Sequence, residues 1–381
     1  MARFTILLLA ALAIAKPTPN HQCIDLEIPI HLNTTAIKWL QPRVDNTIDA
    51  VDWVTYETTW STPNVTQSIL GTVPITTTFT ISGQLCIPPP NPRSSTLQIA
   101  THGIGFDKRY WSAPGSNSYT SAALAAGYPI FTYDRLGAGA STKPDAYTIV
   151  QTSVQVEILS QITSFFRSGT LLSSSKITRG SLPDKGFVPK KIIHVGHSLG
   201  SILTIALLNS APTLSDGAVL TGFLYTNQLD GAGPGTWGFE YAAESDRKFK
   251  DRGSGYIVQG SKSSVQQTFF KKGGFEKDML DWAWEVRQPG SVSEFVSLGT
   301  VLGAPSSFEG GVLFVIGEND YGFCRGDCKG TYDLGVLKTL YPAAKEVGVH
   351  LQPGTGHGLA LAKNATAGYE VIFDFLGGSG L

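Results

Sequence analysis

Charge is scarce in this chain of 381 residues. Only 15% of them are Asp, Glu, Lys or Arg, and the 29 basic and 30 acidic side chains are scattered, leaving a formal net charge of −1. No block of like charge marks a nucleic-acid arm, so nothing in the sequence invites a polyanionic partner. Long apolar runs are missing too: the run from Ile6 to Ala15 is about half of the ~20 residues that a membrane-spanning helix needs. Cysteine is limited to Cys23, Cys86, Cys324 and Cys328, and no nearby His or Cys pair completes a four-ligand zinc set around any of them. Internal repeats and long low-complexity segments are absent. With 42% hydrophobic residues the chain can bury a large core, and one elaborated domain is the simplest organisation.

The N-terminus has the three parts of a secretory signal. Arg3 precedes the apolar run, Ala13-Ile14-Ala15 is a small-x-small cleavage site, and Lys16-Pro17 follows. Residues 1–15 are therefore expected to be removed from a secreted chain without a stable membrane anchor. Asn33-Thr34-Thr35, Asn64-Val65-Thr66 and Asn364-Ala365-Thr366 make Asn33, Asn64 and Asn364 candidate glycosylation acceptors. An oxidising compartment favours disulfides among the even set of cysteines. Of the three pairings that four cysteines allow, Cys23 with Cys86 and Cys324 with Cys328 is chosen because it makes the second pair local.

Residues 16–75 are expected to lead into an early antiparallel strand at 76–87, which Pro88-Pro89-Pro90 closes. Apolar strands are then read at 96–101, 128–133, 191–195, 218–225, 311–316 and 347–351, alternating with helices at 119–126, 148–167 and after Ser198. Residues 169–189 read as a polar loop. Such alternation implies a mostly parallel sheet covered by helices on both faces. The segment between the strands at 218–225 and 311–316 is too long for an ordinary connection. We expect residues 16–226 and 306–381 to form the core and residues 227–305 a helical cap. Trp237, Phe239, Tyr241, Phe269, Phe270, Trp282, Trp284 and Phe295 crowd that cap, either as its own core or as the wall of a pocket.

Gly196-His197-Ser198-Leu199-Gly200 lies between an apolar strand and a helix. A serine on so tight a turn is presented clear of the sheet, flanking glycines relieve the crowding, and the helix N-terminus points free amides at a developing oxyanion. Serine needs a base, and His357, in the glycine-rich loop Gln352-Pro353-Gly354-Thr355-Gly356-His357-Gly358 after the last strand, is the best one available. Asp320 emerges just past the strand at 311–316 and is chosen to orient His357; Glu318 and Asp230 are its competitors. His102-Gly103-Ile104-Gly105 follows a strand end where an oxyanion amide belongs, which assigns the donors to the backbone of Ile104 and Leu199. Two matches to the same serine pattern centred on Cys324 and Cys328 separate no strand from a helix. The glycines of Asp134-Arg135-Leu136-Gly137-Ala138-Gly139-Ala140-Ser141 lack dinucleotide spacing and read as a turn, so no cofactor is expected.

Taken in order, His102-Gly103, the run from Asp134 to Ser141, Gly196-His197-Ser198-Leu199-Gly200, Gly317-Glu318-Asn319-Asp320 and Gly356-His357-Gly358 resemble the α/β-hydrolase superfamily. With the signal sequence and Gly105-Phe106-Asp107-Lys108-Arg109-Tyr110-Trp111, the chain is similar to secreted fungal members, some of which accompany secondary-metabolite pathways. The resemblance implies an α/β-hydrolase fold and acyl transfer from a small-molecule substrate to water through Ser198. A serine nucleophile argues against the dehalogenase and epoxide-hydrolase branches, which use a carboxylate. A carboxylic ester or lactone is the expected substrate. The same residues also suit a lyase, cyclase or condensation enzyme using them as acid and base, and the fold also hosts non-catalytic binding proteins. Oligomeric state has no signal in the sequence.

Overall fold

Strict alternation opens the folded chain. Ile24, Leu26, Ile28, Ile30 and Leu32 are buried while the residues between them are not, the period of two that a half-buried strand requires. In the computed structural model, which describes residues 21–59, 61–62, 67–91, 93–182, 187–228, 234–303 and 305–381, the strands are β1 (Gln22–Trp39), β2 (Ile69–Ile87), β3 (Thr96–Thr101), β4 (Ile130–Tyr133), β5 (Lys176–Arg179), β6 (Lys191–His197), β7 (Gly217–Thr221), β8 (Phe239–Tyr241), β9 (Tyr256–Gln259), β10 (Gly290–Ser291), β11 (Gly311–Gly317) and β12 (Glu346–Gln352). The helices are α1 (Thr47–Thr58), α2 (Tyr119–Ala125), α3 (Thr152–Ser168), α4 (Leu199–Ser210), α5 (Ala242–Ser245), α6 (Lys262–Phe269), α7 (Lys277–Val286), α8 (Val292–Ser297), α9 (Tyr321–Cys324), α10 (Leu334–Leu340) and α11 (Ala365–Gly378).

Nine strands form one sheet in the order β12-β11-β7-β6-β3-β4-β2-β1-β5. Neighbours from β12 to β4 are parallel, and β2, β1 and β5 extend the sheet in antiparallel pairs. Burial on both faces explains the continuous apolar strands. Ile192, Val312, Phe314 and Ile316 pack on one side with Ile158 of α3 and Leu203 of α4. Ile193, Leu313 and Val315 face the other with Ala123 of α2 and Ile372 of α11. Cys23 and Cys86 stand directly opposite in the β1:β2 register and are bonded, as are Cys324 and Cys328. No helix among the described residues is long and apolar enough to cross a membrane.

The structure differs from the sequence reading in four places. Residues 176–179, expected as loop, pair with β1 as β5; all four are exposed, so no apolar alternation announces them. The strand expected at 218–225 ends at Thr221, where Gly222 takes a φ of 57° and the chain leaves the sheet. The insertion is not purely helical: β8, β9 and β10 form a three-stranded antiparallel sheet beside α5 to α8, and strands of two to four residues are too short to show a period. Residues before 75 do more than lead into the sheet. They supply β1, and α1 packs onto the insertion, where buried Trp53 meets Phe239 and Phe295 edge-on with ring centroids 6.5 and 5.9 Å apart.

Trp53 is thus an apolar link between the N-terminal segment and the insertion, beside hydrogen bonds such as Thr47 N–H to Glu244 and Gly255 N–H to the Val44 carbonyl. Trp53→Ala is expected to lower unfolding free energy in urea by about 3 to 5 kcal/mol. Ile48→Ala, on the same helix but 76% exposed, should change it by less than about 0.5 kcal/mol.

Candidate active site

Ser198 occupies a single residue between β6 and α4, with φ 54° and ψ −119°. A non-glycine residue there is strained by about 1 to 3 kcal/mol and persists only where its surroundings hold it. The clamp comes from β7: Ser198 N–H donates to the Thr221 carbonyl at 2.9 Å, and Ser201 Oγ donates to the same oxygen at 2.8 Å. Space for the turn comes from its glycines. A Cβ on Gly196 would lie 2.4 Å from Ser201 Cα, and one on Gly200 would lie 2.0 Å from the Thr101 carbonyl oxygen. No larger residue lets the helix sit this close to the sheet.

Two parallel neighbours deliver His357 and Asp320. β11 and β12 end in register at Gly317 and Gln352, and the loops beyond them stay stitched, with Glu318 N–H to the Gln352 carbonyl and Asn319 N–H to the Thr355 carbonyl, both 2.9 Å. Asp320 is fully buried. Its Oδ1 accepts from Phe323 N–H at 3.0 Å and its Oδ2 from His357 Nδ1 at 2.6 Å. That bond puts the imidazole proton on Nδ1 and leaves Nε2 as the lone-pair nitrogen. Phe269, Phe323 and His197 box the ring, with centroids 5.7, 5.6 and 5.0 Å away. Asn364 steadies the loop before it, accepting from Thr355 Oγ1 at 2.9 Å and donating Nδ2 to the Pro353 carbonyl at 2.9 Å.

Glu318, one of the two competing acids, separates from Asp320 on geometry. Glu318 is turned away from His357: it accepts from Gly354 N–H at 3.0 Å and pairs with Lys329, which lowers its pKa. Asp230 lies outside the described residues, as do residues 1–15 and Asn64. Of the other two candidate glycosylation sites, Asn33 is exposed on β1, whereas Asn364 is half-buried with both ends of its amide engaged.

Ser198, His357, Ile104 and Leu199 line one cavity of about 150 Å³. Its remaining wall is mainly apolar, from Ile202, Leu298, Trp237, Phe295 and Phe323, with Thr268 adding a hydroxyl. The aromatic set of the insertion therefore divides. Trp237 and Phe295 reach the cavity and Phe269 stacks on His357, while Phe239 packs against Trp53 and Arg287 lies 3.3 Å above the Trp284 ring centre. The backbone N–H groups of Ile104 and Leu199 make no hydrogen bond among the described residues. A Cβ on Gly103 would sit 2.8 Å from Ser198 Cβ, so the 102–105 loop packs directly against the serine. His102 and His197 are buried and held neutral, each chiefly by loss of hydration, so Asp320 is the countercharge bonded to His357. No cluster of His, Cys, Asp or Glu among the described residues could hold a metal ion.

Sequence reasoning missed two features. A larger cleft of about 490 Å³ lies at the edge of the insertion, lined by charged side chains that include the Lys108–Asp134 and Arg109–Asp107 pairs, and neither Ser198 nor His357 borders it. Arg135, read only as part of a turn, makes a buried ion pair with Glu294 of α8. Nothing in a single sequence connects two residues 159 positions apart.

A serine, a histidine bonded to a buried carboxylate and two amides without partners among the described residues border one mainly apolar cavity, the set of groups that acyl transfer through a serine uses. The chain is similar to several solved structures. They include a monoacylglycerol lipase of Paleococcus ferrophilus (14% identity, 74% of this chain and 93% of that one, TM-score 0.47), a bromoperoxidase of Bacillus anthracis (17%, 79% and 96%, 0.49) and a carboxylesterase of Nitrososphaera gargenis (14%, 78% and 94%, 0.49). No curated protein sequence matches the chain. The family model of the alpha/beta hydrolases matches residues 99–367, a span that runs from β3 into α11 and takes in all three of Ser198, Asp320 and His357, so the chain belongs to the alpha/beta hydrolase family.

Proposed function

We propose that this chain is a secreted serine hydrolase that cleaves a carboxylic ester or lactone of small to medium, apolar substrates. The observation that carries the reading is the 2.6 Å bond from His357 to buried Asp320 in a cavity shared with a serine at φ 54°. Ser198 Oγ adds to the ester carbonyl as His357 Nε2 takes its proton, and the amides of Ile104 and Leu199 receive the oxyanion. His357 returns the proton to the leaving oxygen, leaving an acyl-serine. Water, deprotonated by the same nitrogen, then releases the acid. Asp320 keeps Nε2 free and balances the imidazolium. The modest cavity and its apolar wall suit a small to medium apolar acyl or ring group. Among the described lining residues only His357 can carry charge, which supports a neutral substrate. Export is supported by the two disulfides, since such bonds persist in oxidising compartments.

A fluorophosphonate probe should label the wild type and not Ser198→Ala, and turnover of graded p-nitrophenyl esters should fall about 10⁴-fold or more in the variant. Labelling of neither protein, with both folded, would remove the nucleophile and favour a lyase or binding role. Asp320→Asn is expected to lower kcat by about 10³- to 10⁴-fold by presenting the wrong tautomer, whereas Glu318→Gln should remain near wild type; equal losses would reassign the acid. Mass spectrometry of protein from a secreting host should find Lys16 as the first residue and glycans at Asn33 or Asn64 but not at Asn364. A retained N-terminus would defeat the export proposal.

A further inference from the structure

Arg135 follows β4 and carries a guanidinium whose side chain is 3% exposed. It pairs with Glu294, donates to Gln155 Oε1 at 2.6 Å and reaches the Gly103 carbonyl at 3.2 Å. Gln155 Nε2 also donates to Glu294 Oε1 at 2.8 Å, and Ser291 N–H donates to the other carboxylate oxygen at 2.9 Å. The backbone N–H of Arg135 donates to His102 Nε2 at 3.0 Å. That nitrogen must then be the acceptor, so the ring proton sits on Nδ1 and is donated to the Gly103 carbonyl at 2.8 Å. One carbonyl oxygen thus receives two donors, one of them cationic.

The peptide that owns this carbonyl also owns the N–H of Ile104. It is trans, as all the described peptides are, so its N–H points opposite to its C=O. Holding the oxygen from the Arg135 side fixes the N–H on the other side, and a cation on the oxygen polarises the amide into a stronger donor. α8 is tied to the chain before α3. Ser291 Oγ and Ser293 Oγ donate to the carbonyls of Val150 and Tyr147 at 2.6 and 2.5 Å, and Thr152 Oγ1 donates to the Ser297 carbonyl at 2.9 Å. A buried ion pair is a poor way to gain stability compared with apolar packing, so its place behind this one peptide calls for another reason.

We infer that Arg135, locked by Glu294 of the insertion, is a positioning residue that aims and strengthens the Ile104 amide as an oxyanion donor. The inference rests on the serine-hydrolase reading above. Three proteins test it: wild type, Glu294→Gln, and the paired variant Arg135→Met/Glu294→Leu, which replaces the ion pair with apolar contacts and guards against simple loss of folding. The ligands are a p-nitrophenyl ester, a trifluoromethyl ketone and its parent alcohol. The ketone takes the Ser198 Oγ bond at its carbonyl, the proton passes to His357, and the carbonyl oxygen becomes the anion. The alcohol fills the cavity with no such charge.

Both variants are expected to lose about 10- to 100-fold in kcat with KM unchanged. Ketone inhibition should weaken by the same factor while the alcohol binds as before, and the pH at which the His357 limb of the rate profile rises should stay in place. The paired variant should recover the unfolding midpoint but not the rate. If rate and midpoint recover together, if alcohol binding weakens as much as ketone binding, or if both variants keep wild-type kcat, the inference is wrong while the hydrolase reading stands. A wild type that neither turns over esters nor binds the ketone overturns both.

Discussion

A serine held at φ 54° between a buried strand and a buried helix is a local expense that the surrounding fold must impose. Here the Thr221 carbonyl at the end of β7 imposes it, by accepting from both Ser198 and Ser201. That contact requires β6 and β7 to be adjacent and parallel, and α4 to lie almost on the sheet, which Gly196 and Gly200 permit. β11 and β12 continue the same parallel run. Their ends consequently open beside the serine, as the carboxyl edge of an open α/β sheet does.

Much of this was legible in the order of residues. Continuous apolar runs mark the strands before Ser198 and Asp320 as buried on both faces, and His357 follows the shorter, half-buried edge strand β12, so their common edge can be read without coordinates. The choice between Asp320 and Glu318 rested only on clearing the strand end; the structure adds that Glu318 is occupied by Gly354 and Lys329.

What was not legible shares a physical cause. β5 is exposed on all four residues, β8 to β10 are shorter than a readable period, and α1 finds its partners Phe239 and Phe295 far along the chain. Sequence periodicity reports burial within one element. It carries no information on which distant element does the burying, and so neither the Trp53 contact nor the Arg135–Glu294 pair could be foreseen.

Three ties between the insertion and the core have a mechanical consequence. Gly358 N–H bonds the Phe269 carbonyl at the end of α6, Gln288 N–H bonds the Gly105 carbonyl, and Glu294 pairs with Arg135. They lie beside His357, beside Ile104 and behind Gly103. Lifting the insertion as a rigid flap would break all three and disturb both loops that face Ser198. Access to the cavity and the shape of its walls are therefore coupled: any opening that lifts the insertion also displaces the loops that carry His357 and Ile104.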